Sequence, residues 1–224
     1  MRAIWWVQDY LWAALLWVAG IGAPATPERY ATAPDGADGR PVVVVPGVYE
    51  DWRFLRPLIV GLHRAGHAVH VIPALGRNRA PIATGAHALL RLVAERDLRD
   101  VVVVGHSKGG LVGKLALMAD DGHRIGSLVA VCTPFHGSRR SHLLPLRSLR
   151  PLVPGHPTLA TLGRPGAVNA RITSIASRFD EHVPEGSELE GARNVRLRLT
   201  GHFRPVGHPV GIAAVVAAVD HPAG

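Results

Sequence analysis

The sequence predicts an α/β protein: a doubly wound, mostly parallel six-stranded sheet with helices on both faces. Two observations carry this. Short runs of β-branched residues, above all Val42–Val45 and Val101–Val104, read as strands buried on both faces. Between these runs lie stretches with apolar residues at helical spacing, so strand and helix alternate along the chain. That alternation argues for parallel strands joined by right-handed crossovers.

Taken in order, residues 1–25 form an apolar helix, almost free of polar groups from Ala3 to Ile21 and broken only by Gln8 and Asp9. Three readings fit it. It approaches the ~20 residues needed to span a bilayer, with Asp9 as the cost. It ends near Ala23-Pro24-Ala25, which resembles a signal-peptide cleavage site, although Arg2 alone is a weak basic region. It is also compatible with a helix packed on the domain or lying at a membrane interface. Residues 26–40 hold turn formers and acidic residues and read as a linker. The globular domain then runs over 41–224.

Pro41 opens a first strand that ends in Pro46-Gly47-Val48. Asp51 is placed to cap a helix over Trp52–Ala65, with Gly66 as its stop. Ala68–Pro73 reads as the second strand, Gly76–Pro81 as a loop, and Thr84–Asp97 as an amphipathic helix. The third strand is Val101–Val104, followed by a helix closing near Asp120. Ser127–Thr133, Ala170–Arg178 and Asn194–Thr200 supply strands four to six, and Val210–Val219 a last helix. Residues 134–166 are punctuated by proline and lack a clean period. Leucine runs at 143–146 and 149–153 suit either a mobile apolar lid or a packed connection.

The chemistry centres on Gly105-His106-Ser107-Lys108-Gly109. A buried strand, a sharp turn and a helix put Ser107 at the apex of a nucleophile elbow, and Gly105 and Gly109 let backbone pass close to the turn. A serine hydroxyl needs a base, and the base needs an orienting acid. In doubly wound sheets such groups follow the carboxyl ends of strands. Asp180 follows the fifth strand, with Glu181 as the fallback acid. His202 follows the sixth, ahead of its competitor His208. Oxyanion donors are expected from the backbone N–H groups of Val48 and Lys108. The other histidines show no metal-ligand pattern, so neither metal nor organic cofactor is expected.

These pieces, with Thr133-Pro134-Phe135-His136-Gly137-Ser138, resemble the α/β-hydrolase superfamily in its small bacterial lipase and esterase branch, over residues of about 41–220. The resemblance implies a minimal six-stranded core and hydrolysis of carboxylic or lipid-like esters through an acyl-enzyme on Ser107. Its alternatives are an acyltransferase or thioesterase with the same triad, or a non-catalytic binding protein of that fold. Two residues depart from the pattern. Pro46 stands where many relatives carry histidine. Lys108 stands beside the nucleophile, where its cation would either favour acidic substrates or point to solvent.

At 224 residues the chain suffices for one sizeable core. Its formal charge is +8, almost all arginine, with Lys108 and Lys114 the only lysines. The arginines are scattered without a basic stripe or interleaved aromatics, which argues against nucleic-acid binding and for a solvated basic surface. Attraction to anionic headgroups is consistent with it, as is association with a membrane surface through residues 3–21. Cys132 is the sole cysteine and reads as a small buried residue. Nothing requires an oxidising compartment, so a cytoplasmic or membrane-associated location is expected ahead of a secreted one.

Overall fold

The computed structural model describes residues 2–21, 26–143 and 146–223. Ala23, Pro24 and Ala25 of the cleavage-like site, and Leu144 and Pro145 of the first leucine run, lie outside the described residues. The elements are α1 (Arg2–Ile21), β1 (Gly39–Val45), α2 (Arg56–Arg64), β2 (His67–Val71), α3 (Ile82–Glu95), β3 (Val101–His106), α4 (Lys108–Met118), β4 (Ile125–Val131), α5 (Pro157–Leu162), β5 (Ile172–Ala176), β6 (Arg193–Arg196), α6 (Arg204–Gly207) and α7 (Pro209–Asp220). The six strands form one sheet of order β2-β1-β3-β4-β5-β6, parallel throughout.

The valine runs explain how the sheet is covered. Successive side chains of a strand point to opposite faces. Val43, Val45, Val101 and Val103 accordingly pack on α3 and α4 through Leu89, Leu111 and Val112. Val42, Val44, Val102 and Val104 face α2 and α7 through Leu58, Leu62 and Val215. Both faces are sealed, so these strands need no polar alternation.

Several boundaries differ from the sequence expectation for local reasons. The helix expected from Trp52 begins at Arg56, because Asp51 caps a turn instead: its Oδ1 accepts the N–H of Arg53 at 2.9 Å and of Phe54 at 3.2 Å. The sixth strand is a mostly exposed edge and leaves the regular ladder at Arg196. Its backbone nevertheless stays paired with the chain after β5. Leu197 N–H donates to Ala176 O at 2.8 Å, Arg178 N–H to Leu199 O at 2.8 Å and Gly201 N–H to Phe179 O at 2.7 Å. This irregular extension carries the two segments side by side to Asp180 and His202.

The segment 134–166 is threaded by short helical turns. Phe135, Leu152, Leu159 and Leu162 are buried in the same core as α3 and α4, as in a packed connection. In the expected linker, Pro27–Tyr30 forms a 3-10 turn, and Tyr30 is buried with its ring edge-on to His63 at 5.6 Å. Cys132 is fully buried, and burial pushes its thiol pKa well up.

Candidate active site

Ser107 follows β3 directly and opens α4. Its φ of 53° and ψ of −122° put it in a region that L-residues rarely adopt. The turn is held by tight packing at its glycines. A Cβ on Gly105 would run into the backbone of Gly109, and one on Gly109 into the carbonyl of Val45. Ser107 N–H donates to Val131 O at 2.8 Å, which fixes the turn to β4.

Asp180 and His202 meet across the β5–β6 extension, with His202 Nδ1 2.8 Å from Asp180 Oδ2. The other carboxylate oxygen, Oδ1, accepts the N–H groups of His182 at 2.8 Å and Val183 at 2.9 Å. Burial alone would raise the Asp180 pKa, but the charge and hydrogen bond of His202 and the Val183 amide outweigh it and hold the carboxyl low. For His202, burial disfavours the cation. The Asp180 carboxylate, with Asp9 and Glu50 behind it, overcomes that and raises the pKa. Glu181, the fallback acid, turns away toward Asp9. Its own pKa is pushed up to about 9, first by burial and then by Asp9. His208 lies elsewhere: its Nδ1 accepts the N–H of Val210 at 3.2 Å and caps α7.

Ser107, His202 and Val48 line one cavity of about 470 Å³. Its walls are largely apolar, from Trp6, Tyr10 and Trp17 of α1, Phe54, and Leu149 and Leu152 of the 134–166 segment. Gly47 N–H is taken by Glu50 Oε2 at 2.7 Å, whereas among the described residues no acceptor takes the amides of Val48 or Lys108. These are the two amides expected to hold an oxyanion.

The Lys108 side chain fits neither sequence expectation. It is fully buried, neither solvent-directed nor part of the cavity wall, and its Nζ donates to Asn78 O at 2.8 Å and Ala80 O at 2.5 Å. It ties the elbow helix to the loop after β2, and burial lowers its pKa to about 8.

Three residues overlooked as site components join the arrangement. Glu50 Oε2 also contacts His106 Nδ1 at 2.8 Å, while His106 Nε2 lies 3.0 Å from the carbonyl of His202. The residue before the serine thus couples the Gly47–Val48 loop to the segment carrying His202. Asp9, on α1, is fully buried. Its carboxylate accepts the N–H groups of His202 at 2.8 Å, Phe203 at 3.0 Å and Arg204 at 3.1 Å. The only sequence signal for it was a charged residue in an otherwise apolar helix.

Among the described residues, two side-chain groups gather potential metal ligands: Cys132, Asp180 and His202, and Asp9, Glu181 and His182. In the first, the carboxylate and imidazole bind each other. In the second, backbone amides occupy Asp9, and the raised pKa of Glu181 keeps it protonated at neutral pH. Neither group is read as a metal centre.

No family model matches the chain. Over 104 residues it is 35% identical to a putative carbamate hydrolase RutD of Variovorax paradoxus (strain S110). That match covers 42% of this chain and 38% of the relative's length. Among solved structures, the mature lipase BlEst2 of Bacillus licheniformis aligns with a TM-score of 0.65 at 15% identity, over 84% of this chain and 96% of that one. An alpha/beta hydrolase, MGS-MChE2, from a lagoon-sediment metagenome of Mar Chica, Morocco, aligns with a TM-score of 0.60 at 17% identity, over 81% and 90%.

Proposed function

We infer that this chain, an α/β-hydrolase by fold, is a serine hydrolase that cleaves carboxylic esters through an acyl-enzyme on Ser107. One observation carries the reading. A serine in the strained elbow conformation and a histidine bound to a buried carboxylate open onto the same apolar cavity.

In this mechanism Asp180 fixes His202 with its proton on Nδ1, which leaves Nε2 to remove the Ser107 hydroxyl proton. Ser107 Oγ attacks the ester carbonyl, and the amides of Val48 and Lys108 stabilise the tetrahedral oxyanion. His202 returns the proton to the leaving alcohol. Water, deprotonated by the same imidazole, then attacks the acyl-enzyme and releases the carboxylic acid and Ser107. No step calls for a metal or organic cofactor. The aromatic and leucine walls favour an apolar acyl group over a charged one. The name of the curated relative raises carbamates as a rival substrate, but a small polar carbamate would leave that lining without a partner.

A fluorophosphonate probe should label the wild-type protein covalently and fail to label Ser107→Ala. Turnover of an apolar acyl ester should disappear in Ser107→Ala and His202→Ala and survive in His208→Ala. A labelled Ser107→Ala protein, or faster turnover of a carbamate than of every ester offered, overturns the reading. Competing thioesters and alcohol acceptors in the same assay separate hydrolysis from acyl transfer.

A further inference from the structure

The outer face of α1 has no place in the proposed chemistry. A helix resting on a globular domain ordinarily presents polar residues to water. α1 instead presents Ile4, Val7, Leu11, Leu15 and Val18, each 59–64% exposed, and then Ile21. Among the described side chains of α1, Gln8 and Tyr10 are the exposed ones that carry a polar group. At 1.5 Å per residue the stripe runs about 26 Å, beyond the scattered apolar surface a soluble monomer usually shows.

The helix is long and apolar enough to cross a membrane, yet its contacts hold it flat. Asp9 accepts three backbone N–H groups of 202–204, and Leu16 is buried against Gly207. Crossing the bilayer would pull Asp9 into hydrocarbon and strip those amides of their acceptor. The inner face of the same helix lines the cavity with Trp6, Tyr10, Ala13 and Trp17.

Charge indicates what covers the outer face. Toward one end of α1, the Arg140 guanidinium lies 5.4 Å from the Trp6 ring centroid. Toward the other, Arg77 lies 5.0 Å from Trp17, and Arg56 donates to Ala19 O at 3.4 Å. The exposed cations Arg140 and Arg77 therefore stand beside the two ends of α1, against rings that line the cavity, on a chain of formal charge +8. A second copy seated on the stripe would bring the same cations to the same rim. An anionic headgroup layer over acyl chains complements both features.

We propose that α1 docks the protein on an anionic bilayer surface. The helix lies in the interface with its Ile4–Val18 stripe toward the acyl chains, and the cavity behind it is held at the lipid boundary. The docking itself is independent of the serine chemistry, so it is tested with the Ser107→Ala full chain. Sedimentation is measured with vesicles of phosphatidylcholine containing a quarter phosphatidylglycerol, and with phosphatidylcholine alone. Binding should favour the anionic vesicles and weaken with added salt. It should fall at least tenfold in Leu11→Ser/Leu15→Ser, with thermal stability and turnover of a water-soluble ester kept in the Ser107-containing counterpart of that variant. Absence of vesicle binding overturns the proposal, as does binding unchanged by the double substitution. So does a self-association abolished by that substitution with no vesicle binding, which would make the stripe a dimer face. Resistance of the bound protein to alkaline carbonate extraction would mean that α1 spans, and also overturns it.

Discussion

Asp9→Ala tests whether α1 helps to hold His202, the proposed base, or merely rests on the domain. The substitution deletes an acceptor for three backbone N–H groups of 202–204 while leaving the packing of Trp5 on Phe179, Leu16 on Gly207 and Trp17 on Phe54 in place. Loss of a comparable helix-capping side chain costs about 1 kcal/mol. The His202 amide is buried, and orphaning it adds about 1–3 kcal/mol. The sum, roughly 2–4 kcal/mol, falls on the loop that aims His202 and emerges as lower stability, lower reactivity or both. If most of it must be recovered to reach the transition state, kcat/KM for an ester falls about 100-fold, since each 1.36 kcal/mol is tenfold. A purely structural role would not move the pH profile, but the Asp9 charge contributes to the raised pKa of His202. The acidic limb of kcat/KM should therefore shift to lower pH in Asp9→Ala and also in Asp9→Asn. Asparagine keeps a carbonyl acceptor and should recover part of the rate without restoring the limb. A kcat/KM within twofold of wild type, with an unmoved limb, would refute the reasoning and reduce α1 to a covering helix.

Asp180→Asn should lower kcat by about 10⁴, as loss of the orienting acid does in such triads. The base acts only when neutral, so activity rises with pH through the His202 pKa. Wild type should thus show an acidic limb above 6.5, and the variant a limb at lower pH, read by stopped assays across pH. Glu181 has a folded pKa raised from 4.5 to about 9, so its contribution to stability is fully present below 4.5 and is lost as pH rises toward 9. Denaturant unfolding should show wild-type stability falling across that window, with Glu181→Gln flattening the slope. Lys108→Met abandons two buried carbonyl acceptors and should destabilise the fold by about 1–3 kcal/mol. The preference between neutral and acidic esters should not change, because the ammonium points away from the cavity.

The sheet was legible because its strands are sealed on both faces, which concentrates valine into runs that no helix spacing imitates. The elbow was legible because tight backbone approach around Ser107 demands glycine at fixed offsets, 105 and 109. The proposed partners of Ser107 were traceable through strand order alone. Asp180 could be preferred to Glu181, and His202 to His208, only by where each falls after its strand. The direction of each side chain belongs to the irregular pairing beyond β5 and β6, which carries no periodic signal. The Glu50–His106 contact joins residues 56 apart, and the Asp9 contacts bridge more than 190 positions. Neither has a local pattern to betray it. The burial of Lys108 was not legible because a lysine beside a serine suggests a cation facing either substrate or solvent, whereas here two carbonyls from a distant loop satisfy it in the interior.

The reading of α1 turns on the same residue that made its composition ambiguous. The 18 residues Ile4–Ile21 satisfy the length test for a span, and on that test Asp9 counts only as a defect, worth about 2.5–3.5 kcal/mol at mid-bilayer. In the folded chain the Asp9 carboxylate is bound by backbone amides of 202–204, the loop that carries His202. Spanning would thus incur the insertion cost of the carboxylate and, in addition, about 2–4 kcal/mol at the loop. Lying in the interface incurs neither and still removes Ile4, Val7, Leu11, Leu15 and Val18 from water. At about 1.5–3 kcal/mol for each side chain fully buried, even partial insertion of five offsets the loss of freedom on docking. In the folded chain, then, Asp9 ties α1 to the loop carrying His202, because its carboxylate meets three backbone donors there.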